Sequence, residues 1–300
     1  MEYMEEKELQ LEQRDEKRSR RSALLFGGAA LAGIALGQKA FAQTGPTDND
    51  ILNFALNLEF LEAQFYTLAT TGMTLDQAGI STKSGGGAAG GAVTVKASPK
   101  VSFTTPLLQQ LAMEIAMDEQ NHVKFLQNAL GANAIAQPNI DLMNSFNKLA
   151  SAAGLGSTFD PFASETNFLL GAFIFEDVGV TAYQGAAGLI SSKTYLDKAV
   201  GIHNVEAYHA AAIRTRIFQA GSTAQAASQA IAKTRSMLDG TGNDDIGVGV
   251  TGGAATIVDN DANGMTYART TSQVLSIVYG GGTAGTGGAF FPSAMNGTIK

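Results

Sequence analysis

Two Glu-x-x-His motifs constrain what this chain can fold into more than any other feature of its sequence. The motifs are Glu119 with His122 and Glu206 with His209. Each lies in a stretch whose apolar residues recur at helical spacing, and residues three apart share one face of a helix. Each motif therefore presents a carboxylate and an imidazole together. Both groups are ligands for transition metals, so the two motifs predict a metal site between helices.

Two lone glutamates complete the pattern. Glu59 and Glu176 each lie in a strongly apolar segment, where an isolated carboxylate needs a partner or a metal ion to offset its lost hydration. A tyrosine follows each glutamate seven residues later, Tyr66 and Tyr183, two helical turns along the same face. The tyrosines are expected either to hydrogen-bond to ligand carboxylates or to pack as ordinary core aromatics. The chain thus repeats one order: a glutamate with a tyrosine, then Glu-x-x-His.

The repeat also ranks two neighbouring acids on the first helix. Glu62 lies near Glu59 on the helix face and is the alternative ligand. Aligning the two halves pairs Glu59 with Glu176, whereas it pairs Glu62 with Gly179. Glu59 is therefore the predicted ligand, and Glu62 is expected beside the site or on the surface.

Three other polar residues stand close to the motifs. His203 lies one turn before Glu206 and is interpreted as a further ligand, a hydrogen-bond donor to a ligand, or a polar histidine of the core. Glu114 and Asp118 fall away from the helical stripe of His122, so both are expected to face solvent.

Composition excludes several other kinds of site. The 300 residues include no cysteine, so disulfides, thiolate metal clusters and cysteine nucleophiles are excluded. The formal net charge of -7 offers no basic excess to hold a phosphate backbone, so no nucleic-acid partner is expected. The length suffices for one sizeable core.

Residues 1–42 are predicted to be an export signal peptide. A charged segment ends in Ser19-Arg20-Arg21, an apolar run follows, and Ala40-Phe41-Ala42 supplies a cleavage signal. The arginine pair resembles a twin-arginine signal, although the usual Phe two residues later is absent, and a Sec signal is the alternative. The mature protein is therefore expected to be periplasmic or extracellular, with no transmembrane segment after cleavage.

The remaining chain is predicted to be all-α. Cap residues and apolar spacing indicate helices at about 51–71, 105–130, 140–152, 160–185, 192–220 and 222–238. The fourth of these is expected to open at Asp160-Pro161, and Val93-Thr94-Val95 to form a small hairpin strand. Residues 43–239 are thus predicted to form a four-helix bundle with an extra helix and a Gly-rich insertion between helices. Residues 240–300 are predicted to be a Gly-rich, loop-rich extension on the bundle surface, with one short helix near 272–279.

These residues resemble the ferritin-like superfamily, whose di-metal members carry a Glu on each of two helices and Glu-x-x-His on the other two. More narrowly, the chain resembles exported ferritin-like domain proteins that include plant desiccation-related proteins and their bacterial relatives. The narrower resemblance rests on residues 57–66, 268–275 and 288–297, together with the two motifs.

The resemblance implies a centre of two iron or two manganese ions. The implied ligands are Glu119 and Glu206 as bridges, Glu59 with His122 at one ion, and Glu176 with His209 at the other. Such a centre reacts with dioxygen or peroxide, so a ferroxidase-like or catalase-like oxidoreductase is the first hypothesis. The alternative is a non-enzymatic protein, stress-protective in desiccation or structural at a surface, with a structural or vestigial metal site. The sequence leaves the metal and the oligomeric state open, a homo-oligomer included.

Overall fold

The structure is a computed structural model that describes residues 45–242 and 244–300. The predicted signal peptide lies outside these ranges. Within them we find the helices α1 (Asp48–Thr71), α2 (Pro106–Leu130), α3 (Asn144–Ala152), α4 (Glu165–Ala187), α5 (Lys193–Gln219), α6 (Ser222–Leu238) and α7 (Thr271–Val278). The strands are short: β1 (Val93–Thr94), β2 (Ile140–Asp141), β3 (Val250–Thr251) and β4 (Ala254–Ala255). The predicted all-α class is confirmed. Across the described ranges, the helices lack the length and apolar character needed to cross a membrane.

The long helices pack in pairs, α1 with α2 and α4 with α5, and α1 also packs along α4. Helices α1 and α4 are the most deeply placed, since nearly every residue from Ile51 to Ala69 and from Phe168 to Tyr183 is buried. These are the helices that carry the two lone glutamates. Their carboxylates therefore lie where hydration is lost.

The start of α1 is specified locally. The Thr47 hydroxyl accepts the backbone N–H of Asp50 at 3.2 Å, and the Asp50 carboxylate accepts the N–H of Thr47 at 2.9 Å. This reciprocal capping box satisfies two N–H groups that have no partner inside the helix. The helix ends at Gly72, whose φ of 81° is the left-handed conformation that glycine adopts most easily.

Helix α2 begins at Pro106, as the sequence indicates, but its cap comes from another helix. The side chain of Thr105 makes no capping bond. Instead the carboxylate of Glu165 accepts the backbone N–H groups of Thr104 at 2.5 Å and Thr105 at 2.6 Å. Glu165 is the first residue of α4, so one carboxylate joins the beginnings of α2 and α4.

The predicted start of α4 at Asp160-Pro161 is wrong. The helix begins at Glu165, where the Ser164 hydroxyl accepts the N–H of Asn167 at 3.1 Å. The Asp160 carboxylate instead accepts the N–H of Phe162 at 2.9 Å within a turn. Aspartate suits such turns as well as it suits helix starts, which is why the sequence signal misplaced the boundary.

The strand predicted at Val93-Thr94-Val95 is present as β1, but its predicted hairpin pairing is wrong. Strand β1 pairs in parallel with β2, which precedes α3. The expected helix from 140 consequently begins only at Asn144, whose N–H donates to Asp141 at 2.7 Å. The chain on either side of β1 runs close to the β2 segment, because a Cβ on Gly91 would lie 2.4 Å from the backbone nitrogen of Asn139.

The C-terminal extension supplies part of the core as well as a surface layer. Phe290 is fully buried, and its ring meets that of Phe175 at 4.9 Å between centroids. The side-chain amide of Asn57 donates to the backbone carbonyl of Asn296 at 2.9 Å. Its carbonyl oxygen accepts the backbone N–H of Asn296, also at 2.9 Å. These bonds attach the extension to α1 two residues before Glu59.

A buried network of charges ties the extension to three helices. Asp177 on α4 accepts hydrogen bonds from Arg214 on α5 at 2.8 Å and from Arg235 on α6 at 2.7 Å. Arg235 also pairs with Asp245 of the extension at 2.8 Å, and Asp245 pairs with Arg269 at 2.6 Å. A buried ion pair offsets lost hydration only while both partners stay in place. The network therefore couples the extension to the helices.

Candidate metal centre

The structure brings all six predicted metal ligands together in the interior. They form two groups in which one ligand atom from each residue lies within 4.8 Å of the others. One group contains Glu59, Glu119, His122 and Glu206, and the other contains Glu119, Glu176, Glu206 and His209. Glu119 and Glu206 belong to both groups. All six side chains are buried.

Both imidazoles turn Nδ1 towards the carboxylates. The Nδ1 of His122 lies 3.2 Å from Glu59, 3.3 Å from Glu119 and 3.4 Å from Glu206. For His209 the distances from Nδ1 are 3.1 Å to one oxygen of Glu119 and 3.5 Å to one oxygen of Glu176. Each ring thus directs one nitrogen into a ring of carboxylate oxygens.

Several of these atoms have no hydrogen-bond partner in the described part of the chain. They are Oε1 of Glu119, Oε2 of Glu176, both carboxylate oxygens of Glu206 and Nδ1 of His209. Buried polar atoms without partners are costly, and atoms that converge on one place can be satisfied together by a cation. Carboxylate oxygen and imidazole nitrogen without thiolate suit iron or manganese. The residues therefore fit the metal pair that the resemblance implies.

The ionisation of the centre supports the same fit. Burial raises the pKa of Glu206, and the Glu119 carboxylate raises it further. Burial also opposes ionisation of Glu119, but the hydrogen bond from His122 and the positive charges of His122 and His209 outweigh it and hold the pKa of Glu119 below its ordinary value. Burial opposes charge on His209, yet Glu176 and Glu119 raise its pKa to about 12. The cavity thus attracts positive charge, which metal ions would supply while displacing the protons.

Comparison with known proteins places this geometry in a family. A family model described as the ferritin-like domain matches residues 47–219, more than half of the chain. The chain belongs to the ferritin-like domain family. The superfamily resemblance drawn from the motifs is thereby confirmed.

Two relatives extend the similarity of this ferritin-like domain protein beyond the matched segment. The chain is 26% identical to the desiccation-related protein PCC13-62 of Craterostigma plantagineum, over 84% of this chain and 83% of the relative. It is also 26% identical to the ferritin-like catalase Nec2 of Nesocodon mauritianus, over 84% of each. No solved structure matches it significantly.

The two tyrosines of the ferritin-like domain cross between its halves. The hydroxyl of Tyr66 donates to Glu176, and that of Tyr183 donates to Glu59. Burial and then the adjacent carboxylate raise the pKa of each phenol well above its usual range, so both remain protonated donors. Of the two expected roles, hydrogen bonding is the one the structure shows. Each tyrosine serves the glutamate of the other half.

Glu62 lies beside the centre and away from the surface. It belongs to neither ligand group, and its Oε2 is buried with no partner among the described residues. Burial, followed by the charge of Glu206, raises the pKa of Glu62 well above its usual range. Gly179 faces the carboxylates of Glu62 and Glu206, and its lack of a side chain leaves the space that they occupy. A Cβ at that position would lie 2.5 Å from Oε2 of Glu206 and 3.4 Å from Oε1 of Glu62.

Gly179 is thus a site residue that sequence reasoning did not identify as one. It entered only as the partner of Glu62 in the aligned halves. The signal that could have found it is a glycine within a strongly apolar helix, where glycine lowers helix stability and close packing against a neighbour is one reason for its presence. His203, by contrast, stands outside both ligand groups. It is half-buried, and burial lowers its pKa.

The expectation that Asp118 faces solvent holds only in part. Its Oδ2 lies 3.2 Å from Nε2 of His209, and 39% of its side chain is exposed. The sequence could not show this contact, because Asp118 lies on α2 and His209 on α5, and periodicity describes one helix at a time. Glu114, one turn earlier on α2, is exposed as expected.

Proposed function

We propose that this protein holds two iron or two manganese ions and uses them for redox chemistry on dioxygen or peroxide, in ferroxidase or catalase fashion. The observation that carries the proposal is the pair of buried ligand groups that share Glu119 and Glu206. In this assignment Glu59 and His122 hold one ion, and Glu176 and His209 hold the other.

A bound pair of such ions supplies the electrons exchanged with dioxygen or peroxide. The chain's own residues would hold the ions and orient the ligand carboxylates. The carboxylates of Glu119 and Glu206 belong to both groups and would balance charge on both ions. Tyr66 and Tyr183 each hold one unshared glutamate through a hydrogen bond, which limits its rotation. Burial of all six ligands keeps bulk water from competing for the ions.

The relatives support two different roles. Nec2 is named a ferritin-like catalase, which supports peroxide as the substrate. PCC13-62 is named a desiccation-related protein and is equally similar, which supports the alternative of a non-enzymatic protective protein whose ions brace the helices. In either role the predicted signal peptide at residues 1–42 supports action outside the cytoplasm, in the periplasm or beyond the cell.

Metal content and turnover together test the proposal. The mature chain, expressed with iron or manganese, should contain about two metal ions, as the two-group geometry implies. It should then oxidise Fe²⁺ with dioxygen or consume hydrogen peroxide. The double variant Glu119→Ala with His122→Ala should lose this turnover while its circular dichroism stays helical. The matched control is Glu114→Ala with Met117→Ala, which alters two exposed residues on the same helix, three positions apart.

The outcomes separate the two roles. Turnover lost in the double variant and kept in the control supports the oxidoreductase. A parent that binds two metal ions without turnover, and whose double variant unfolds, supports the protective protein. A parent that retains no iron or manganese after expression with either metal overturns both.

A further inference from the structure

The two imidazoles of the candidate centre differ in what holds their outer nitrogen. On His209, Nδ1 faces the carboxylates while Nε2 lies 3.2 Å from Asp118. A proton on Nε2 can donate to Asp118, which leaves the lone pair of Nδ1 free for a metal ion. A carboxylate in this position fixes the tautomer, restrains ring rotation and increases the basicity of the ligating nitrogen.

The repeat places no such carboxylate next to His122. Asp118 directly precedes Glu119 on α2, and the residue that directly precedes Glu206 on α5 is Val205. A valine side chain cannot accept a hydrogen bond. The tyrosines do match between the halves, since each unshared glutamate accepts a hydrogen bond from one of them. Two differences remain at the centre: Glu62, whose counterpart is Gly179, and the partners of the two histidines.

We propose that Asp118 is a positioning residue that makes the two metal positions unequal, so that the ion at His209 binds more tightly and fills first. The proposal rests on the proposed function, which assigns both histidines as metal ligands. The contact of Asp118 with His209 is already formed at 3.2 Å, so it needs no rearrangement of the buried centre. Loss of a partner of this kind typically weakens metal binding about 10- to 100-fold.

Titration of the metal-free mature chain with Mn²⁺ tests the proposal, with the free ion counted by electron paramagnetic resonance. The parent should show two binding steps that differ in affinity by about 10- to 100-fold. In Asp118→Ala the tighter step should weaken until the two steps merge. Asp118→Asn keeps an acceptor oxygen and should restore part of the difference. The control Glu114→Ala removes a carboxylate from the exposed face of α2 one turn earlier and should leave both steps unchanged.

A gain-of-function variant provides a second arm. Because the repeat aligns Val205 with Asp118, Val205→Asp should bring a carboxylate to the outer nitrogen of His122 and tighten only the weaker step. This arm decides the matter if Asp118→Ala fails to fold.

The outcomes distinguish the two levels of the argument. A parent that binds neither Mn²⁺ nor, in an anaerobic titration of the same kind, Fe²⁺ refutes the proposed function, and this proposal with it. Two equal steps in the parent, or an Asp118→Ala titration identical to that of Glu114→Ala, refute the role of Asp118 while the metal centre stands.

Discussion

The phenol of Tyr66 on α1 donates its hydrogen to the carboxylate of Glu176 on α4, across the interface between the two halves of the ferritin-like domain. The bond is buried and orients one of the candidate metal ligands. Its mirror, from Tyr183 to Glu59, does the same for the other half. Each half therefore positions a ligand of its partner.

Tyr66→Phe removes this bond without changing the shape of the core. We expect the fold to persist and metal affinity to fall about 10- to 100-fold, because the Glu176 carboxylate becomes free to rotate. Metal titration of the variant measures the effect. Tyr279→Phe is the control, because it deletes another buried hydroxyl, one that accepts the N–H of Met295 at 2.9 Å. It should cost about 1 kcal/mol of stability and leave metal affinity unchanged. Equal metal affinity in both variants would contradict the role of Tyr66.

Gly179→Ala tests the space that Glu206 occupies. The added Cβ would lie 2.5 Å from Oε2 of Glu206, so the carboxylate must move. Since Glu206 belongs to both ligand groups, we expect both metal positions to weaken by more than the roughly 10-fold cost of losing an outer partner. Elemental analysis after gel filtration should show fewer than two ions per chain.

Gly201→Ala is the matched control for that variant. Gly201 also lies within a long helix, and nothing lies within 4 Å of its added Cβ. The change should raise stability by about 0.5–1 kcal/mol through helix propensity and leave metal content intact. If Gly179→Ala behaved like Gly201→Ala, the close approach to Glu206 would carry no function.

Arg235→Met should destabilise the protein by about 3–5 kcal/mol, because it leaves Asp177 and Asp245 buried with incomplete partners. Urea unfolding followed by circular dichroism measures the change. Arg216→Met is the control, since Arg216 donates to Gln219 near the surface, at 2.7 Å. Limited proteolysis should cut the extension of Arg235→Met first. Cutting at the same rate as in the parent would show that the network does not hold the extension.

Asp259→Asn tests a carboxyl beside the same network, whose Oδ2 accepts the N–H of Ile246 at 3.2 Å and whose Oδ1 has no partner among the described residues. Burial first, then the charges of Asp177 and Asp245, raise the pKa of Asp259 to about 8, against an ordinary value of 3.8. The folded state thus binds a proton that the unfolded state releases, so the stability contributed by this group is complete below about pH 4 and is lost as pH rises to about 8. The asparagine variant carries no such charge and should exceed the parent in stability at pH 9.

Urea unfolding of the metal-free proteins between pH 4 and 9 checks this prediction. The difference between variant and parent should grow with pH and level off above pH 8. Asp197→Asn, which neutralises an exposed side chain on α5, should show no such growth. A constant difference for Asp259→Asn would show that the carboxyl is ionised throughout that range.

The sequence foresaw the candidate site better than it foresaw the partners of that site. Glu-x-x-His is a local pattern, and the repeat selected Glu59 over Glu62 by comparison with Glu176. The structure places the selected residues in two ligand groups and Glu62 in neither. The contact of Asp118 with His209 was not predicted, because it joins two helices and the periodicity within one helix does not report such a contact.

Predictions of local structure were wrong where one residue type is common in two different local structures. Asp160 is a residue type that often caps helices, but here its carboxylate accepts a hydrogen bond within a turn. The helix is capped by Ser164 instead. Val93 has the chemistry of a hairpin strand but pairs in parallel with Ile140. Local propensity is weak compared with the packing that finally selects the conformation.

The sequence by itself determined the helical class and which acids and imidazoles share a helix face, because helical period and ligand chemistry are encoded within a few neighbouring residues. Only the tertiary structure decided that Tyr66 donates a hydrogen bond to Glu176 and that Asp118 contacts His209. It also decided that Gly179 leaves space for the carboxylate of Glu206 and that Phe290 of the extension completes the core. These relationships join residues distant along the chain, and their free energy exists only once the helices have packed.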